Sequence, residues 1–262
     1  MDLSPLEGTF GPAAIAIVAA LVAVLVASGW LGRNRFVRLL KAVRQNPRAL
    51  DRFYRRTIVS TWIIGLVVPV VLLLEPDLSP ADVGLRWPAG DGLDYVVALL
   101  LVSTIVFGGL RRRRLIQSGR WADAGRSPMM ALLPRTPTQR RLAVGISVTA
   151  GVVEEAIFRG LLIASAVAIL RVPVEVAALL TLILFAWGHQ YQGRAGMLGA
   201  GLLGVMFTGL YLISGSILLP AILHTTQDLV ALLTIPVDKS GDAAPLRGDA
   251  APPHSDATAQ DA

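Results

Sequence analysis

Glu154 and Glu155 stand side by side in an apolar stretch long enough to lie within a membrane. There an ionised carboxylate costs about 2.5–3.5 kcal/mol on insertion scales and marks a functional site by default. Arg159 follows, and His189, His224 and Asp228 fall in later apolar stretches. On a helix, Glu155 and Arg159 are four residues apart, share a face and can form an ion pair. Glu154 projects about 100° away from Glu155, free to face a cavity. His224 and Asp228 also share a face and meet Glu154 if their helices pack together. Two adjoining carboxylates in low dielectric do not both ionise easily. With Glu155 held as the charged partner of Arg159, Glu154 is left as a general base for a water molecule. A neighbouring histidine can orient that water, bind a metal or donate to a developing oxyanion. Water activation with oxyanion stabilisation is the minimum equipment for amide hydrolysis.

Plainer readings apply to some of these residues. A single histidine in an apolar helix is commonly a packing residue, and a buried Glu–Arg pair is commonly structural, which is the role given to Glu155 and Arg159. His254, near the end of the chain, is read as inert. Yet the costly residues gather on three apolar spans, while the cores of the other four carry none.

Those spans are expected at about 11–32, 57–74, 93–110, 142–170, 174–192, 195–214 and 216–236. A composition 54% hydrophobic and 16% charged is that of a membrane protein. With no cysteine, disulfides, thiolate catalysis and cysteine metal ligands are excluded. The net charge of +6 does not point to nucleic acid, because the arginines lie in two loops, 33–56 and 111–141, separated by an acidic loop at 75–92. That alternation places the basic loops in the cytoplasm and the acidic one outside, with the N-terminus outside and the C-terminus inside. The first 32 residues read as a retained membrane helix, because the apolar run from Ala13 to Leu31 exceeds the about 7–15 residues of a signal-peptide core. Phe36, Leu39, Leu40 and Val43 suggest a basic amphipathic helix on the inner leaflet, with a solvated topogenic loop as the alternative. Thr136-Pro137-Thr138-Gln139 resembles a capping box that starts span four. Gly196, Ala200 and Gly204 form a stripe of small residues on span six that favours close helix packing. Residues 238–262, rich in Ala, Asp and Pro, are expected to be a disordered cytoplasmic tail. The chain thus divides into a three-span region (1–130), a four-span core (131–237) and the tail.

The assembled residues resemble the CAAX-protease and bacteriocin-processing (CPBP/ABI) family of intramembrane endopeptidases. Glu154-Glu155-Ala156-Ile157-Phe158-Arg159 matches its E-E-x-x-x-R signature, Phe185 to His189 its F-x-x-x-H motif, and His224 to Asp228 its H-x-x-x-N or H-x-x-x-D motif. The resemblance covers about residues 130–236. It implies an all-α, polytopic helical bundle of about seven spans whose polar cavity opens toward the cytoplasm. By the same resemblance Glu154 is the catalytic base, His189 positions the water or a metal, His224 and Asp228 complete the site, and Glu155 with Arg159 braces it. Type II CAAX prenyl endopeptidases, members of this family, remove the last three residues from prenylated proteins.

Asp228 donates to an oxyanion only when protonated, but when ionised it is a good metal ligand. Glu154, His189, His224 and Asp228 then offer the N/O ligand set of a catalytic Zn²⁺ or another divalent metal, without an H-E-x-x-H pattern. The expectation is an endopeptidase of the cell (plasma) membrane, acting on a membrane-associated protein or peptide, with the lipid bilayer as its other partner and no nucleic acid. Two other classes use the same residues: a proton-coupled carrier, with Glu154, His189, His224 and Asp228 as a proton relay, and a non-catalytic immunity or scaffold protein. One geometric difficulty attends the protease reading. His189 falls near the cytoplasmic end of span five while Glu154 lies mid-span, so the two differ in depth unless span five runs past Gln190, Tyr191 and Gln192; the alternative is that those polar residues line the cavity mouth.

Overall fold

A computed structural model describes residues 10–89, 92–118, 120 and 128–236, and every element within them is helical. The elements are α1 (Pro12–Gln45), α2 (Arg48–Gly65), α3 (Val67–Leu74), α4 (Leu93–Gln117), α5 (Pro137–Thr149), α6 (Leu162–Leu170), α7 (Val174–Gly188), α8 (Gly193–Ser214) and α9 (Leu218–Leu233). Two π-helical stretches, Ala150–Glu154 and Ala156–Leu161, join α5 to α6. Helices therefore stand at each expected span. Four are long and apolar enough to cross a membrane: Pro12–Gln45, Arg48–Leu74, Leu93–Gln117 and Gln190–Ser214; Val174–Gly188 and Leu218–Leu233 are apolar but shorter. The expected tail lies outside the described residues.

The N-terminal helices run past their apolar windows. Pro12 occupies the first turn of α1, where a missing N–H is harmless. The helix then continues through the first basic stretch to Gln45, and α2 begins three residues later at Arg48. The basic loop 33–56 is thus two helix ends and a tight turn. The expected amphipathic stripe exists but does not lie on lipid. Phe36 and Val43 are buried in a small core with Leu50, Tyr54, Leu132 and Ala143, with Leu39 and Leu40 packed against it. The Tyr54 hydroxyl donates to the Leu132 carbonyl, tying α2 to the segment before α5. Pro69 cannot donate to the Gly65 carbonyl, which accounts for the break between α2 and α3.

α5 starts where the sequence indicates. Thr136 Oγ1 accepts from the Gln139 N–H at 3.1 Å, and Gln139 Oε1 accepts from the Arg135 N–H at 2.8 Å. The same Gln139 amide donates to Asp51 Oδ1 at 2.9 Å, so this cap also anchors α5 to α2. Beyond it the helix widens into the π stretches. There Gly151 crosses α9 so closely that a Cβ would lie 2.1 Å from Thr225 Oγ1. At the opposite end of the molecule, residues 78–89 fold over the bundle. Val83 is fully buried, and its carbonyl would stand 2.5 Å from a Cβ on Gly160. The Ile217 N–H donates to the Gly84 carbonyl at 3.0 Å, closing that end.

Candidate active site

α5, the π stretches and α6 form one continuous helix whose middle carries the carboxylates. Glu155 is fully buried and Glu154 is half-buried, so the two face apart as their spacing requires. Glu155 Oε1 accepts from Arg159 Nη1 at 2.8 Å and lies 2.7 Å from His224 Nδ1. The ion pair thus forms one helical turn apart, and its carboxylate also ties α9 to this helix. With Glu155 accepting, His224 carries the proton on Nδ1 and turns Nε2 the other way, 4.0 Å from Asp228 Oδ2.

Arg159 is held on every side. Nη2 donates to the Gly204 carbonyl at 3.2 Å and Nε to Thr208 Oγ1 at 3.4 Å. Its guanidinium carbon lies 4.4 Å from the Phe185 ring centroid and 5.4 Å from that of Phe207. Such buried charge persists only when paired and hydrogen-bonded, and here it is both. Gly204 makes the arrangement possible, because a Cβ there would sit 2.7 Å from Leu182 and 3.3 Å from Arg159 Nη2. Within the stripe of small residues, Gly204 packs against α7, whereas Gly196 and Ala200 line the cavity described below.

His189 caps α7. Its Nδ1 lies 2.8 Å from the Phe185 carbonyl, and its ring lies between those of Phe185 (4.6 Å) and Tyr191 (6.2 Å, tilted by 29°). Nδ1 therefore donates to the carbonyl and Nε2 is the nitrogen left for other partners. Tyr191 in turn packs on Phe36 of α1 at 5.7 Å. α7 has 15 residues, about 22 Å of helix against a hydrocarbon core of about 30 Å. It stops short, the turn Gln190–Gln192 follows, and α8 begins at Gly193 with φ 81°. This shortness resolves the difference in depth: the polar turn lines the cavity, and irregular backbone is tolerated at membrane depth where it borders such a space.

A cavity of about 610 Å³ brings Glu154, His189, His224 and Asp228 together. Tyr191 and Gln192 line it from the α7–α8 turn, and Tyr54, Thr57 and Thr61 line it from α2. Glu155 and Arg159 stand behind the wall. His224 is clamped within it, its ring stacked on Phe207 at 4.8 Å with an interplanar angle of 18°. Phe207 and Thr208 carry no mark in the sequence because α8 has no ionisable residue in its core, and Gly204 is legible there only as a small packing residue. Tyr191 offered one signal, a polar aromatic beside the motif histidine.

Among the described residues no group of three or more His, Asp or Glu side chains is placed to hold an ion. His224 Nδ1 is held by Glu155 and His189 Nδ1 by the Phe185 carbonyl, which leaves Nε2 of both rings open, and His224 Nε2 stands 4.0 Å from Asp228 Oδ2. Zinc ligation needs donors converging at about 2.0–2.2 Å.

Residues 137–230 match the family described as type II CAAX prenyl endopeptidase Rce1-like. The match bears out the resemblance, and it spans all three motifs while leaving α1 to α4 outside. No curated protein and no solved structure matches the chain.

Proposed function

We propose that the protein is an intramembrane endopeptidase that hydrolyses a peptide bond of a membrane-associated protein or peptide with water activated by Glu154. The observation that carries this reading is that Glu154, His189, His224 and Asp228, from three separate motifs, line one cavity inside the segment that matches a peptidase family. In this mechanism Glu154 takes a proton from a water held with His189 Nε2, and the hydroxide adds to the scissile carbonyl carbon. In its doubly protonated form, His224 donates through Nδ1 to Glu155 and through Nε2 to the oxyanion. The 4.0 Å between Nε2 and Asp228 is too long for a hydrogen bond and leaves room for that oxygen or a bridging water. Collapse of the tetrahedral intermediate breaks the C–N bond, and Glu154 returns its proton to the leaving amine. The steps above are carried by these side chains alone; a divalent ion, if bound, would be held by Glu154, Asp228 and the two Nε2 atoms and would polarise the scissile carbonyl.

Glu155 and Arg159 act as the brace that fixes the orientation of His224. We place the basic end, where α2 begins, at the cytoplasmic side of the cell membrane, with the cavity opening to that side and seven crossings. Prenylated C-terminal sequences are the first substrates to try, since the matched family is named for them. The test is product analysis by mass spectrometry after the detergent-purified protein has met a pool of prenylated and unprenylated peptides in heavy-oxygen water. Hydrolysis predicts defined fragments with one heavy oxygen in each new carboxylate; an intact pool together with a pH-driven flux across vesicles would assign the residues to a carrier.

A further inference from the structure

The cations of the first basic stretch remain outside the proposed chemistry. Arg33, Arg35, Arg38, Lys41 and Arg44 end α1, and Arg48, Arg52, Arg55 and Arg56 begin α2. All nine are exposed. Among the described residues none of them has a carboxylate within ion-pair distance, and the sole acid of the stretch, Asp51, accepts from Gln139 instead. The apolar faces of both helix ends are used against protein, with Phe36, Val43, Leu50 and Tyr54 buried, so the charged faces are turned outward together.

Their depth is set by the helices that carry them. On α1 the apolar window gives way to charge at Arg33, and Arg38 lies about 7.5 Å further along the axis. The polar headgroup layer of one leaflet is about 5–7 Å thick. The chain reverses at Asn46-Pro47, so α2 returns toward the bilayer and Arg52, Arg55 and Arg56 precede its own apolar run. Counted back from the turn, the six arginines on two antiparallel helices fall within about 12 Å along the axis, a spread that their long side chains can close by reaching toward the headgroup layer. Trp30, 73% exposed and three residues before Arg33, marks the same boundary, where tryptophan is enriched.

We infer that this face, Arg33, Arg35 and Arg38 with Arg52, Arg55 and Arg56, is a binding surface for anionic phospholipid headgroups. Unpaired cations at headgroup depth complement lipid phosphate, and basic clusters next to a membrane helix are attracted to anionic leaflets. The inference is independent of the proposed hydrolysis.

The full chain is reconstituted in phosphatidylcholine vesicles containing spin-labelled phosphatidylglycerol or spin-labelled phosphatidylcholine, and the fraction of label immobilised at the protein is read. The expected result is a preference for the anionic label that weakens as salt rises. It should fall by about fivefold per cation removed at low salt in R33Q/R35Q/R38Q and again in R52Q/R55Q/R56Q. Lysine at all six positions keeps the charge and should keep most of the preference, which separates lost charge from lost fold. Equal immobilisation of the two lipids by the wild type would overturn the inference, as would full preference in the glutamine variants or its loss in the lysine variant. Binding of an acidic glutamate peptide without any lipid preference would assign the face to a protein partner and overturn it too.

Discussion

α1 to α4 and the segment from α5 to α9 use polar residues in opposite ways. In the first region most of the cations sit exposed at helix ends, only the carboxylates Glu75 and Asp94 are buried among its described charges, and the membrane-depth surface is apolar: Leu73, Leu99, Leu100 and Phe107 are all exposed to the surroundings. In the second, Glu155, Arg159 and His224 are buried and bonded to one another. A buried charge persists where it is paired and hydrogen-bonded, so the second region must be built around its ionisable residues, whereas the first is built largely on hydropathy. The boundary is not absolute, since Tyr54, Thr57 and Thr61 of α2 close one side of the cavity. What the contrast teaches is where mutation should hurt, and in which observable.

The sharpest break should come from Arg159→Met. It leaves the fully buried Glu155 carboxylate without its ion pair, and removing one partner of such a pair costs about 3–5 kcal/mol. Thermal unfolding in detergent should show a large drop, whereas Arg113→Met at an exposed end of α4 should leave the midpoint nearly unchanged. A smaller but clear difference is expected between two glycines. A Cβ on Gly151 would meet Thr225 and the Ala221 carbonyl, while one on Gly108 meets nothing within 4 Å. Gly151→Val should destabilise by about 1–3 kcal/mol as overpacking does; Gly108→Val should be within about 0.5 kcal/mol of wild type.

Below these lies Tyr191, the contact through which α1 reaches the site. Tyr191→Ala removes the ring between Phe36 and His189 and should lower kcat by about tenfold or more, because a misplaced catalytic group costs up to about a hundredfold. Tyr191→Phe should retain most activity, and neither should shift the unfolding midpoint as Arg159→Met does. The smallest effect expected is none: a chelator should leave cleavage unchanged if, as in the proposed steps, Glu154 alone activates the water. Activity lost to chelation and restored by Zn²⁺ would show that substrate or metal draws Glu154, His189, His224 and Asp228 into a different arrangement.

Much of this contrast can be read in the sequence, for physical reasons that differ by residue. Span positions follow from hydropathy, and the start of α5 from Thr136 and Gln139, because both are local properties. The pairing of Glu155 with Arg159 follows from helical spacing. That His224 joins Glu155 rather than Glu154 does not, since it depends on how closely α9 approaches Gly151, a tertiary fact. The π stretches are equally hidden: an i→i+5 ladder has no compositional mark, and such bulges arise where packing demands them and are frequent at functional sites. The basic stripe at Phe36 to Val43 is legible as amphipathic, but periodicity alone does not say whether its apolar face meets lipid or protein. The metal expectation rests on donor types alone, and donor types carry no information about convergence.

The account rests on Glu154 as the base that activates water in the shared cavity. The most direct test compares purified, reconstituted wild type with Glu154→Gln on the same peptide pool, with unfolding midpoints measured in parallel. The side chains are nearly isosteric and Glu154 is half-buried at the cavity wall, so matching midpoints are expected, with cleavage lowered by about 10²–10⁴-fold as for loss of a general base. Undiminished cleavage by a folded Glu154→Gln protein would contradict the account.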